Sequence, residues 1–130
     1  MNDQTIEQEI QAKGKTAARV TPADIEANIA SEHYFTALDS VYGRAAAMAK
    51  LQNKEMDWHP SQPLCGLTFC VLVLRNGFTV TGESACASAE NFDAEIGRKI
   101  ARQNAVQKIW PLMGYALRQQ LSDKATEEHF

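Results

Sequence analysis

Apolar residues are spread unevenly along this chain, and their spacing changes twice. Residues 67–74 (LTFCVLVL) are almost continuously apolar, residues 78–83 alternate, and from Phe92 onward apolar positions recur three or four apart. The first two patterns mark strands and the third marks a helix. Asn76-Gly77 lies between the strand patterns and predicts a β-hairpin with a type I′ turn, both residues at positive φ. That turn dictates a register. Arg75 pairs with Phe78, Val73 with Val80, Val71 with Gly82 and Phe69 with Ser84, while Leu74 meets Thr79, Leu72 meets Thr81 and Cys70 meets Glu83. The first strand is apolar on both faces, so it needs cover on both, from the chain's own helices or from another copy. A lone hairpin is unstable in water, and further strands or packed helices must complete it.

Upstream, residues 1–20 hold only Ile6, Ile10 and Val20 as large aliphatics and read as a flexible or weakly helical N-terminal arm. Thr21-Pro22-Ala23-Asp24 is a helix start, with Thr21 as N-cap, Pro22 in the first turn and Asp24 near the positive end of the dipole. Ile25, Ile29, Phe35 and Leu38 then predict a helical stripe laid on the sheet. An alanine-rich second helical segment spans 42–52. Residues 53–63, with Pro60 and Pro63, form a loop. A long helix begins near Asn91 or Asp93 and is kinked or restarted at Pro111. Residues 122–130 form a frayed tail. The fold class expected is therefore α+β: N-terminal helix or helices, a central antiparallel β-hairpin and a long C-terminal helix kinked near Pro111, with residues 21–121 as one domain.

The long helix poses a packing problem. Phe92, Ile96 and Ile100 line one side of its first half. Ala105, Ile109, Leu112, Met113, Ala116 and Leu117 line nearly the opposite side of its second half. One sheet face cannot bury both stripes. A second subunit packed on Ile109, Met113 and Leu117 is the expected solution, which makes the protein a homo-oligomer.

Composition narrows the classes. At 130 residues the chain is long enough for one real core. A net charge of −3 argues against a globally basic nucleic-acid binder. No apolar run approaches the ~20 residues of a membrane helix, and the polar start has no signal-peptide core. Three cysteines, Cys65, Cys70 and Cys86, are read as reduced thiols in a cytosol.

Candidate chemistry is sparse. Cys65, Cys70, Cys86 and His59 lack any Cys-x₂-Cys knuckle, so no metal site is expected, and Cys70 reads as a small hydrophobe within a strand. Nothing local activates a Cys86–His59 nucleophile pair. Glu83 is the one carboxylate committed to the hairpin, but no second carboxylate, Ser-His-Asp order or phosphate loop accompanies it. No catalytic residue, cofactor or enzyme activity is expected. The long helix is locally basic, with five cations and two acids from Phe92 to Arg118. Arg98 and Arg102 share a face four residues apart and suit a phosphate or carboxylate. The alternatives are a solvated basic face or ion pairs with acids of the first helix, Asp24, Glu26 and Glu32. Arg75, Glu83 and Ser84 complete the candidate ligand-binding set.

The hairpin sequence, Thr21-Pro22-Ala23-Asp24-Ile25, Asn91-Phe92-Asp93-Ala94-Glu95-Ile96-Gly97-Arg98-Lys99-Ile100-Ala101 and Trp110-Pro111-Leu112 with Gly114-Tyr115 together resemble a small phage protein family. It is named after gene forty-nine of phage N-four and gene sixty-six of phage Sf-six. The resemblance covers roughly residues 20 to 120. It implies an accessory protein of a phage or prophage acting in a bacterial host's cytoplasm, and it brings no catalytic residues. In that setting the expectation is a non-enzymatic oligomeric binder of a small anionic, nucleotide-type host defence signal. Its rivals are an inhibitor of a host protein and a nucleic-acid-binding accessory protein.

Overall fold

A computed structural model of the chain describes residues 2–15, 17–59 and 61–128. Met1 and Thr16 of the expected arm, Pro60 of the expected loop, and His129 and Phe130 of the expected tail lie outside the described residues.

The hairpin turn corrects the expected register. Gly77 takes φ +89°, but Asn76 does not adopt positive φ. The Gly77 N–H donates to Leu74 O at 2.9 Å, and the Leu74 N–H donates to Phe78 O at 2.8 Å. The loop is therefore residues 75–77, a type I turn closed by a left-handed glycine, and not a two-residue type I′ turn. Asn76 contributes through its side chain, whose Oδ1 accepts from the Phe78 N–H at 2.9 Å. One more loop residue slips every pair by one. Strands β2 (Leu67–Leu74) and β3 (Thr79–Ala85) pair as Val73/Thr79, Leu72/Val80, Cys70/Gly82 and Phe69/Glu83. The slip sets Leu72 against Val80, both buried, where the shorter turn would have set it against Thr81.

The hairpin is completed by a third strand where a helical stripe was expected. Helix α2 covers only Pro22–Ala27, started by a Thr21/Asp24 capping box. The chain then enters β1 (Ile29–Thr36), antiparallel to β2, giving the sheet order β1-β2-β3. Ala30, Ser31, Glu32 and His33 carry little strand propensity of their own. The unpaired edge of β2 supplies the partner groups that make them a strand. Phe35 then stacks on Phe69 across the two strands, ring centres 5.6 Å apart.

Helix α3 (Ala37–Gln52) starts earlier than expected, because Thr36 and Asp39 form a second capping box, and it ends on Asn53 at φ 51°. Trp58 in the following loop meets Tyr42 edge-on at 5.0 Å. A 3₁₀ turn at Gln62–Gly66 leads into β2.

Helix α4 is one element of 35 residues, Ala94–Glu128, passing through Pro111 without restarting. The segment expected to fray is helical as far as it is described. Its buried positions are Gly97, Ala101, Ala105, Val106 and Ile109, so it is the small-residue face that meets the sheet. Gly82 explains the choice. A Cβ on Gly82 would overlap the Ala101 carbonyl oxygen and the Ala105 nitrogen and stand 3.0 Å from Ala105 Cα. Helix backbone thus rests directly on strand backbone, and only small residues permit that approach. Only part of the second stripe is buried within the chain. Ile96 and Ile100 point away, 55% and 42% exposed, while Ile109 is wholly buried with Ile25, Leu72 and Val80 in the core.

The stretch expected as a flexible or weakly helical arm carries α1 (Asp3–Ala12), capped by Asn2 and burying no residue. Polar contacts tether it. Asp3 accepts from Trp110 Nε1 at 3.1 Å and from Gln107 Nε2, and Glu7 forms a two-pronged ion pair with Arg19. Among the described residues no helix is long and apolar enough to cross a membrane.

Candidate functional site

Arg98 and Arg102 share a face of α4, yet they have different fates. Arg102 Nε donates to Glu32 Oε1 at 2.8 Å, and its terminal nitrogens donate to Glu26 at 3.0 and 2.7 Å and to Glu32 Oε2 at 3.3 Å. The guanidinium fork is filled by the chain's own carboxylates, so the two arginines do not form a paired anion clamp. Glu32 is held below the usual carboxylate range, first by Arg102 and then by the Tyr34 hydroxyl, which donates to it at 2.7 Å. Burial, reinforced by Glu32, pushes the Tyr34 phenol up. Glu26 first and Glu32 second push the Arg102 pKa up in turn. Arg102 is a clamp between α4, α2 and β1.

Arg98 makes no side-chain hydrogen bond or ion pair among the described residues. It borders a cleft of about 100 Å³ with Tyr34, Phe35, Asp39, Thr68 and Phe92. Thr68 is fully buried there, and its hydroxyl has no partner among the described residues.

Arg75 lies elsewhere, in the hairpin loop. Its backbone N–H donates to Asn28 O at 3.0 Å, and its Nε donates to Ala27 O at 3.1 Å. No carboxylate meets its terminal nitrogens among the described residues. It borders an open cleft of about 470 Å³ together with Arg19, Asp24, Asn28, Met113 and Leu117. Two expected interface residues and one expected ligand residue therefore meet in one place. Ile109, the third expected interface residue, has no surface to offer a second copy.

Glu83 and Ser84 join neither cleft. Glu83 is exposed opposite Phe69 rather than Cys70, and its carbonyl oxygen accepts from Asn104 Nδ2 at 2.8 Å. Ser84 borders a third hollow, of about 250 Å³, with Cys86, Asn91 and Ile96. The cysteines are also divided. Cys70 is buried on the face that meets α4, where burial raises its thiol pKa, whereas Cys65 and Cys86 border a cleft of about 380 Å³ beside Phe92. His59 is exposed and pairs with Asp57 at 2.8 Å. Among the described residues no three His, Cys, Asp or Glu side chains are grouped as metal ligands.

Thr68 and Asp39 were not singled out by the sequence. Thr68 reads as one more residue of an apolar strand, and Asp39 shows only as the fourth residue of Thr36-x-x-Asp39, a helix-start signal. Arg19 lies in the polar stretch before Thr21, where no sequence signal marks it.

Comparison with family models matches residues 20–121 to the phage protein (N4 Gp49/phage Sf6 gene 66) family. Comparison with curated proteins and with solved structures gives no match.

Proposed function

This chain belongs to the phage protein (N4 Gp49/phage Sf6 gene 66) family, and from that premise we propose that it is a non-enzymatic accessory protein of a phage or prophage. In this reading it acts in the host bacterial cytoplasm, in counter-defence or host takeover, by binding a small nucleotide-type anion. The observation that carries the reading is the cleft at Arg75. Its volume of about 470 Å³ falls within the ~300–1,000 Å³ of small-molecule sites. It pairs a guanidinium whose terminal nitrogens meet no carboxylate among the described residues with an apolar wall of Met113, Ala116 and Leu117. A guanidinium suits phosphate oxygens, and an apolar wall suits a base.

The cleft is open on one side, and a second copy is the proposed cover. Beyond Ile109 no residue of α4 is buried, although Leu112, Tyr115 and Leu121 are apolar or aromatic and exposed. Nineteen residues of helix, about 28 Å at 1.5 Å per residue, run on past the core contacts. Packing a second α4 against Met113 and Leu117 would cover this surface and remove water from around Arg75, strengthening its grip on an anion. Exposed Val41, Tyr42 and Leu51 on α3 favour a second reading, a surface for a host protein.

Native mass spectrometry of protein recovered from phage-infected bacteria tests both. The expected species is an oligomer carrying a nucleotide-sized adduct. Arg75→Ala should keep the oligomer and lose the adduct, and Met113→Lys should lose both. A bare monomer at tens of micromolar overturns the reading, and a stoichiometric host protein in place of the adduct selects the second one.

A further inference from the structure

We propose that α1 is an internal latch on the Arg75 cleft, its Glu7 carboxylate holding Arg19 in the way an anionic group of the ligand would. The inference rests on the reading of that cleft as an anion site, and it adds to the site a second arginine and a built-in competitor. Arg19 joins the two features. It borders the cleft of about 470 Å³ together with Arg75, Met113 and Leu117. Its terminal nitrogens donate to both carboxylate oxygens of Glu7, one of them at 2.7 Å. Gln11 Nε2 donates to the same carboxylate at 2.9 Å. A two-pronged guanidinium–carboxylate pair has the geometry that a ligand's phosphate or carboxylate would also adopt. One of the two arginines bordering the cleft therefore already carries an anion, and the chain itself supplies it.

That internal anion sits on an element suited to exchange. Helix α1 holds Asp3, Glu7 and Glu9 and no basic residue. None of its residues is buried, and Ile6 is 41% exposed, so apolar burial does little to hold it. Asp3 supplies its contacts to α4, accepting from Trp110 Nε1 at 3.1 Å and from Gln107 Nε2 at 3.3 Å. An acidic helix docked through its carboxylates opens locally at low cost and yields to a competing anion. The pair is still shielded enough to hold at rest. The Glu7 and Arg19 side chains are only 16% and 20% exposed, so salt screens them less than a surface pair.

The arrangement favours a ligand with two anionic groups. Asp24 also borders the cleft, fixed there by its capping box with Thr21, and it opposes any anion that enters. Arg75 alone must offset Asp24 while Glu7 holds Arg19. A diphosphate can engage both arginines, drawing Arg19 from Glu7 and releasing α1, whereas a single anionic group leaves the latch closed. A latch closed about 90% of the time weakens apparent binding about tenfold.

Amide NMR and hydrogen exchange of the full chain, titrated with inorganic pyrophosphate, test the latch, with sodium chloride at matched ionic strength as the control for screening. Pyrophosphate should shift the Arg19, Arg75 and Met113 amides saturably. Over the same concentrations it should quicken exchange in α1 while β2 stays protected, and chloride should do neither. Glu7→Gln, which keeps the shape and removes the charge, should bind pyrophosphate about tenfold tighter than the parent. Arg19→Gln should free α1 just as well yet bind roughly tenfold more weakly than Glu7→Gln. A role in docking α1 alone would move both variants the same way. Pyrophosphate bound with α1 exchange unchanged, or bound equally by parent and Glu7→Gln, overturns the latch and leaves the cleft reading standing. Undiminished binding in Arg75→Ala overturns the placement at this cleft, and no binding by either parent or Glu7→Gln overturns both.

Discussion

Gly77 and Arg102 show how much single residues decide. Gly77 has no neighbour within 4 Å of where a Cβ would stand, so a substitution there meets no clash and feels only the φ of +89°. Gly77→Ala should cost roughly 1 kcal/mol, read as a lower midpoint in urea unfolding. Asn76→Ala should cost less, since Asn76 supplies one exposed hydrogen bond and no unusual backbone angle. Equal losses at both positions would point back to a type I′ turn. Arg102 makes the opposite kind of contribution. From the sequence it reads either as half of a ligand clamp or as a partner for the upstream acids Asp24, Glu26 and Glu32, and the two glutamates among them occupy it. Nothing local in the chain distinguishes it from Arg98, because the difference lies in which acids the fold carries to each guanidinium.

At the scale of elements, the controlling contact is α4 on β3. A helix can lie on a sheet at ordinary spacing through large side chains or unusually close through small ones. Here Gly82, Ala101 and Ala105 choose the close option, and Ile96 and Ile100 are left outside as a result. Gly82→Ala should therefore be far more harmful than a one-carbon change suggests. The helix backbone must move, and a loss of about 3 kcal/mol or more is expected in denaturant unfolding. A variant within 0.5 kcal/mol of the parent, on the order of a neutral surface change, would mean that α4 does not sit on the strand backbone. The same contact explains why a conventional hydrophobic-stripe reading chose the wrong face for the first half of α4. That reading weights large residues, whereas the packing selects for small ones.

At the scale of the molecule, α1 is held to the core by carboxylates. Arg19, assisted by Gln11, holds the Glu7 carboxyl at about 2, below its ordinary 4.5. A group whose pKa falls on docking stabilises the docked state above its ordinary pKa, and that contribution is lost as pH falls through the lowered value. The Glu7 tether should thus be complete above about pH 4.5 and fade toward pH 2. Hydrogen exchange in the α1 amides should quicken through that window while the amides of β2 stay protected. Glu7→Gln should show the faster α1 exchange already at neutral pH and lose the pH step contributed by Glu7. An α1 that exchanges at the same rate in parent and variant at neutral pH would show that the ion pair does not hold it.

The sequence by itself determined the hairpin, the long helix, the Thr21 helix start and the family, because each rests on local signals. A turn glycine, a 3.6-residue period, a cap and a motif string are all legible within a few residues of one another. It also determined that β2 needed more partners than one hairpin arm, since LTFCVLVL is apolar on both faces. Only the tertiary structure decided what those partners are. β1 became a strand because an unpaired edge lay beside it, against the weak preferences of Ala30 to His33. The register followed from a turn type that Asn-Gly alone leaves open, and from burying Val80 beside Leu72. Both clefts were likewise beyond the sequence. Arg75 borders one cleft with Met113, and Thr68 and Arg98 border another with Asp39, across separations at which no local pattern constrains which side chains share a space.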